Sequence, residues 1–305
     1  AASARGLAPA PAVASELPTE AVVKPVEVVR TGDYTEGVVV DHAGNLYFSH
    51  EKIVTRVTPD GKASTWAGTG APNGHKILAD GTHLICDAKR HTLLHLNADG
   101  NELDPAATES DGQPLRGPND LTLDTASGGV YFTDPASSDE KNPNGTLHYL
   151  DAKGVCHTIA KGLAFPNGIA LRPGARELLV AESKRNRILA FPVIGPGKLG
   201  EPRVLINLPE KGPGQVDNQP DGITLDDAGN LYVAHYGMRQ VQVISPDGKL
   251  IRRYPAGNLT TSNVAFAGEK MDQLYMTGGD PGGLFRLDLP GVKGLVILPP
   301  RRSSN

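Results

Sequence analysis

Cysteine is nearly absent from this chain, with two in 305 residues. Neither Cys86 nor Cys156 belongs to a CxxC pair or a Cys/His cluster, so a disulfide scaffold and a cysteine-based zinc site are both excluded. The expectation is two buried free thiols that pack as small hydrophobes. Sustained apolar spacing at i, i+3, i+4, i+7 is missing as well, and no helix of consequence is predicted. No apolar run approaches the roughly 18 residues that a membrane span needs. A net charge of −4 and a pI near 6.2 leave no basic stripe, which argues against nucleic acid as a partner. A GxSxG elbow is also lacking, so nothing points to a serine acyl-enzyme.

What the chain does have is punctuation and repetition. Gly 36 and Pro 25 divide many short segments, and 39% hydrophobic residues suffice for a core. Six times a small polar pair opens an apolar run, a tight turn follows, and a second apolar run ends it. The clearest copies are 118–134 (PNDLTLDTASGGVYFTD), 166–182 (PNGIALRPGARELLVAE) and 220–235 (PDGITLDDAGNLYVAH). A fourth occupies 36–50, and weaker ones 73–87 and 262–276. The pairs begin at Glu36, Asn73, Asn119, Asn167, Asp221 and Ser262, in steps of 37, 46, 48, 54 and 41 residues. Strand-and-turn repeats of this length predict an all-β six-bladed β-propeller with four-stranded blades around a central channel. Residues 22–30 read as a strand that would close the ring on the last blade. Residues 1–21, Ala- and Pro-rich, read as a flexible leader ahead of a single domain over 22–305. The leader suits a periplasmic or secreted protein, otherwise a cytoplasmic one.

The first strand of each blade lines the channel, so the residues that open it form one ring. Turn chemistry alone explains many Asn-Gly and Asp-Gly pairs. Pro59-Asp60-Gly61-Lys62 and Pro246-Asp247-Gly248-Lys249 behave that way, sitting between third and fourth strands. The pairs at Asn167 and Asp221 instead enter the most apolar run of their unit. Glu36, Asn119, Asn167 and Asp221 together offer two carboxylates and two amide oxygens. That hard, all-oxygen set suits Ca²⁺, with Mg²⁺, Mn²⁺ or Zn²⁺ as alternatives. Asn73 and Ser262 fill the remaining ring positions and would face water or substrate. A second ring is expected where the second strands return, at His50, Asp87, Asp134, Glu182, His235 and Gly278; Asp134, Glu182 and His235 are its candidate substrate contacts.

Glu36-Gly37, Pro118-Asn119-Asp120 with Tyr131-Phe132-Thr133-Asp134-Pro135, Pro166-Asn167-Gly168-Ile169-Ala170 and Pro220-Asp221-Gly222 resemble the gluconolactonase/regucalcin (senescence marker protein) family over about 32–297. The resemblance implies a propeller with one divalent cation held by Glu36, Asn167 and Asp221. Asn119 would serve as a further ligand or a substrate contact, and Asp221 would double as general base. Regucalcin-like members carry an Arg two residues before that Asn. Here the place is Gly117, and Arg116, one position off, is the candidate sugar contact. The implied activity is hydrolysis of a small lactone by a polarised carbonyl and an activated water. A phosphotriesterase or other esterase, or a non-enzymatic ligand-binding propeller, is the alternative. Oligomeric state is not legible.

Overall fold

Short runs of β-branched and aromatic residues between Gly- and Pro-rich turns fold as strands. The computed structural model describes residues 16–297, and among them one 3₁₀ turn, Ser183–Arg185, is the only helical element. No helix among these residues is long and apolar enough to cross a membrane. The strands form six antiparallel blades around one channel.

Blade one comprises Thr35–Val40, Leu46–His50, Ile53–Val57 and Ala63–Gly68. Blade three comprises Leu121–Asp124, Gly129–Asp134, Gly145–Leu150 and Cys156–Leu163. Blade four has Pro166–Leu171, Glu177–Glu182, Arg187–Gly195 and Arg203–Asn207. Blade five has Gln219–Leu225, Leu231–Tyr236, Gln240–Ile244 and Leu250–Pro255. Blade two departs from the expected four strands. Pro72–Ile77, His83–Asp87 and Thr92–Leu96 are followed only by single bridges, Leu93 to Ala107 and Leu96 to Glu102. In blade six, Thr260–Ala267, Gln273–Gly279 and Gly283–Asp288 are completed by Val26–Arg30 from the other end of the chain. This is the closure expected of residues 22–30, but the strand begins only after Pro25, which has no N–H to give to a ladder.

The leader also differs from expectation where it is described. Residues 1–15 lie outside the described residues, while 16–21 run along the outer edge of blade five. Pro18 O accepts from Tyr254 Oη at 2.7 Å and Arg252 Nε at 3.2 Å, and Glu20 Oε1 accepts from Arg253 N at 3.1 Å. Val23 is buried in the cluster between blades five and six. An edge strand whose N–H groups would face water is covered in this way.

Strand alternation feeds two gaps at once. In blade one, Val38 and Phe48 face blade six while Val39 and Tyr47 face blade two. In blade two, Ile85 faces blade one while Leu84 and Cys86 face blade three, where Cys156 joins them as a second buried free thiol. Six apolar clusters fill the six gaps between neighbouring blades.

The first strands meet at the axis through local irregularities. Pairing of the first and second strands slips between Glu36 and Val38, Pro72 and His75, Pro166 and Ile169, Pro220 and Ile223, and Thr261 and Val264. Each slip holds the ring residue and its successor, and in four blades that successor is Gly. A Cβ on Gly37 would lie 1.9 Å from Asn73 O, and one on Gly168 would lie 2.2 Å from Asp221 O. The second residue of the Asn-Gly and Asp-Gly pairs is thus needed for close approach of neighbouring blades. The far end of the channel is apolar, lined by residues such as Val40, Leu171 and Leu225 and reached by Leu295 and Ile297 of the C-terminal segment. Leu295 N donates to Leu225 O at 2.9 Å, which fixes that segment there.

Gly168→Ala is expected to destabilise the protein by about 1–3 kcal/mol, because backbone rather than a movable side chain meets the new methyl. Gly32→Ala is the control, since nothing lies within 4 Å of its added Cβ. Urea midpoints of the two variants without added metal decide the matter; equal midpoints would show that close approach is not the constraint.

Candidate functional site

The ring residues converge at the opposite end of the channel. Glu36, Asn73, Asn119, Asn167 and Asp221 line one cavity of about 360 Å³. Ser262 does not join them: it is fully buried, and its Oγ donates to Thr35 O at 2.6 Å, tying blade six to blade one. Glu36, Asn167 and Asp221 are each less than a tenth exposed.

Below the ring lies a tier that the sequence reading missed. Where four blades place Gly after the ring residue, blade three places Asp120 and blade six Asn263, both buried. Asp120 Oδ1 accepts from Leu121 N at 2.8 Å, and Asn263 hydrogen-bonds to both Asp120 and Glu36. The signal was present in the sequence as two exceptions to an otherwise regular glycine.

Three carboxylates therefore share the channel centre. Burial pushes Glu36 up to about 7, against hydrogen bonds from Tyr34 Oη (3.0 Å) and Gly37 N (3.2 Å). Burial first, then the charges of Glu36 and Asp120, hold Asp221 well above the usual carboxylate range. Asp120 is raised by burial, opposed by the Lys76 ammonium. Asn73 Oδ1 and Asn119 Oδ1 are buried without a hydrogen-bond partner. Crowded buried carboxylates and amide oxygens lacking a donor are what a divalent cation would relieve, so the residues present fit one. Among the described residues no three His, Cys, Asp or Glu side chains gather as ligands. An ion at this place would depend on the amide oxygens as much as on the carboxylates.

The expected rim is placed elsewhere. Asp134, Glu182 and His235 are buried and do not line the cavity. Asp134 Oδ2 accepts from Arg116 N at 2.7 Å, and Glu182 Oε1 accepts from Ala164 N at 2.8 Å. Asp87 accepts from Gly70 N at 2.6 Å and Ala71 N at 2.9 Å. Residues 70, 116 and 164 each lie three positions before a ring residue. The second-strand acids hold the loops that deliver the ring, and the backbone of Asn218 is bonded to His235 in the corresponding place. His50 bonds to Thr55 Oγ1 at 2.7 Å. Arg116 is exposed, and its guanidinium donates to Asn144 O at 2.7 Å, away from the cavity.

The wall of the mouth comes from residues outside the sequence expectation, in loops, in the 3₁₀ turn and at strand ends: Tyr34, Phe165, Lys184, Asp217, Gln219 and Tyr236. Tyr34, Phe165 and Gln219 each stand two residues before a ring residue, and that offset was the available signal. Alternation points position −2 the same way as the ring residue, one step nearer the opening.

The family model described as SMP-30/gluconolactonase/LRE-like region matches residues 34–279. A gluconolactonase of Zymomonas mobilis is 30% identical over 289 residues, covering 84% of this chain and 79% of the relative. The diisopropyl-fluorophosphatase of Loligo vulgaris is 26% identical over 259 residues, covering 74% and 80%. The solved structure of a gluconolactonase from Xanthomonas campestris superposes with a TM-score of 0.77 at 25% identity, over 89% of this chain and 91% of that one.

Raised carboxylates keep protons that the unfolded chain has released. For Glu36 the window runs from 4.5 to about 7, and stability falls as pH rises through it. Buried His83 and His235, both lowered to about 4 by burial, act in the opposite sense and lose stability as pH falls from 6.5. Comparison with Glu36→Gln isolates the carboxylate. Without metal, the melting temperature of the parent should fall relative to that of the variant between about pH 5 and about pH 8. Added Ca²⁺ should raise the parent's melting temperature more at the higher pH, and more than it raises that of the variant. A pH-independent difference would mean that the Glu36 charge is not under stress.

Proposed function

Since the chain belongs to the SMP-30/gluconolactonase/LRE-like family, we propose that it is a metal-dependent lactonase opening a small sugar-type lactone at the channel mouth. The observation that carries this reading is the convergence of Glu36, Asn119, Asn167 and Asp221 on one cavity, with the buried carboxylates raised and Asn119 Oδ1 unpartnered. A purely structural polar channel gains nothing from burying like charges side by side.

These four residues would hold the cation, Ca²⁺ being the best match to an all-oxygen set. When bound, it supplies Lewis acidity toward the lactone carbonyl. The protein's own residues do the rest. Asp221 takes the proton of the attacking water as its oxygen bonds to the carbonyl carbon. The bond from that carbon to the ring oxygen then breaks, and the proton passes to the departing oxygen, giving the hydroxy acid. Burial and the charges of Glu36 and Asp120 push Asp221 up, and a cation held beside it would pull it down. Tyr34 keeps Glu36 oriented through its hydroxyl. Asn73, with its Oδ1 unpartnered at the same cavity, is placed to meet a substrate hydroxyl. The ring residues line the mouth cavity, so substrate would enter from that side.

Two variants separate the roles. Asp221→Asn should lower turnover of gluconolactone by roughly 10²- to 10⁴-fold at saturating Ca²⁺. Glu36→Gln should weaken metal binding first, and added Ca²⁺ should recover part of its rate. Bound metal is measured directly in both. An Asp221→Asn protein that holds the ion and turns over near the parental rate would make Asp221 a ligand only. The parent should lose activity with EDTA. Hydrolysis of paraoxon but not gluconolactone would assign an esterase instead, and inactivity on both would favour a binding protein.

A further inference from the structure

Among the described residues, Lys184 is the single basic side chain lining the channel mouth. Its Nζ stands 5.7 Å from the centroid of the Phe165 ring. Glu182, the acid nearest in sequence, is already engaged by Arg185 and Arg187. Asp217, the acid at the mouth, is engaged by Asn218 N at 2.9 Å and Gln219 Nε2 at 2.5 Å. Lys184 is exposed and forms none of the ion pairs found among the described residues.

The platform beneath it is rigid. Lys184 sits in the Ser183–Arg185 turn, whose Ser183 Oγ donates to Pro220 O of the next blade at 2.6 Å. Ser183 N donates to Phe165 O at 3.0 Å and Lys184 N to Ala164 O at 3.2 Å, so turn and aromatic segment are stapled together. Phe165 itself adopts φ +60°, a region that bulky L-residues rarely enter, and Ser138 Oγ accepts its N–H at 2.9 Å. Strain of this kind persists where the surroundings over-determine it, and here it presents an aromatic face below an ammonium. Tyr34 and Tyr236, 6.2 Å apart and edge to face, supply further aromatic wall.

We infer that Lys184, seated on Phe165, is an anion subsite that directs the site toward lactones carrying a carboxylate or a phosphate away from the reacting carbonyl. This rests on the lactonase reading above. A compact ammonium without a carboxylate partner is a strong donor to such an oxygen anion. The carbonyl end of the substrate would reach the ring while its anionic end meets Lys184 at the opening.

The test compares kcat/KM for a phosphate-bearing lactone (6-phosphogluconolactone), a carboxylate-bearing one (a glucaric acid monolactone) and neutral glucono-δ-lactone. In Lys184→Met the preference for the anionic substrates, as a ratio to the neutral one, should fall about 3- to 10-fold. The loss should appear in KM rather than kcat, and Lys184→Arg should retain the preference. Higher ionic strength should erode the ratio in the parent and not in Lys184→Met. A fall confined to one of the two anions identifies which charge is read; an unchanged ratio for both overturns the inference. Should the parent open no lactone, the lactonase reading fails. Calorimetric binding of 6-phosphogluconate then decides on the subsite: weaker binding to Lys184→Met upholds it, and equal binding overturns it.

Discussion

Burial of like charge at the channel centre is the constraint on which the rest of this structure turns. Two unit charges ~4 Å apart repel by about 4 kcal/mol at an effective dielectric near ~20; burial raises Glu36, Asp120 and Asp221 alike, and the charges of Glu36 and Asp120 add to the rise at Asp221. The glycines that let neighbouring blades touch also create this crowding, since they bring the opening residues of the inner strands to one point. Lys76 and Asn263 offset part of the repulsion, at Asp120 above all. A cation would remove most of what remains. Architecture and the proposed metal site are thus one problem: a wider channel would relieve the charges and lose the cradle for an ion.

Delivery of the ring depends on residues that never face the cavity. Asp87, Asp134 and Glu182 each receive a backbone N–H from the loop three residues upstream of a ring side chain. A buried carboxylate bonded to main-chain N–H groups is a stiff tether, because releasing it would strand a charge and a donor together. The loops of a propeller are otherwise its most mobile parts. Fixing them at the last residue pair before the inner strand makes the ring as rigid as the sheet behind it.

The repeat, the all-β class, the ring closure and the four oxygen-bearing ring positions were legible in the sequence, because strand period and turn chemistry act locally. Four features were not. Asp120 and Asn263 occupy glycine positions, and whether a side chain there reaches the axis depends on how closely the next blade approaches. The second-strand acids recur with the right period, yet period fixes their place along the strand and not whether a neighbouring loop closes over them. Blade two lost its fourth strand because Ala107 and Glu102 pair with blade edges only singly. Residues 16–21 looked like leader by composition, but Pro18 and Glu20 gave carbonyl and carboxylate acceptors to an exposed edge.

The division of labour between ring and mouth follows from strand geometry. A residue in an inner strand is held by the second strand of its own blade and by the blade beside it, so its replacement disturbs the axis. A residue two positions earlier lies at the mouth, in the loop before the strand or at its first position, and its replacement changes mainly what the mouth presents. Tyr34, Phe165 and Gln219 occupy such places, whereas at Gly117 the added Cβ would meet nothing nearer than 3.8 Å, leaving that part of the wall open. One ring can therefore serve different substrates while the mouth is rewritten. That relatives named for gluconolactone and for diisopropyl fluorophosphate match 84% and 74% of this chain is what such a separation would produce. In the lactonase we propose, the residues above the ring carry substrate choice and the ring carries the chemistry.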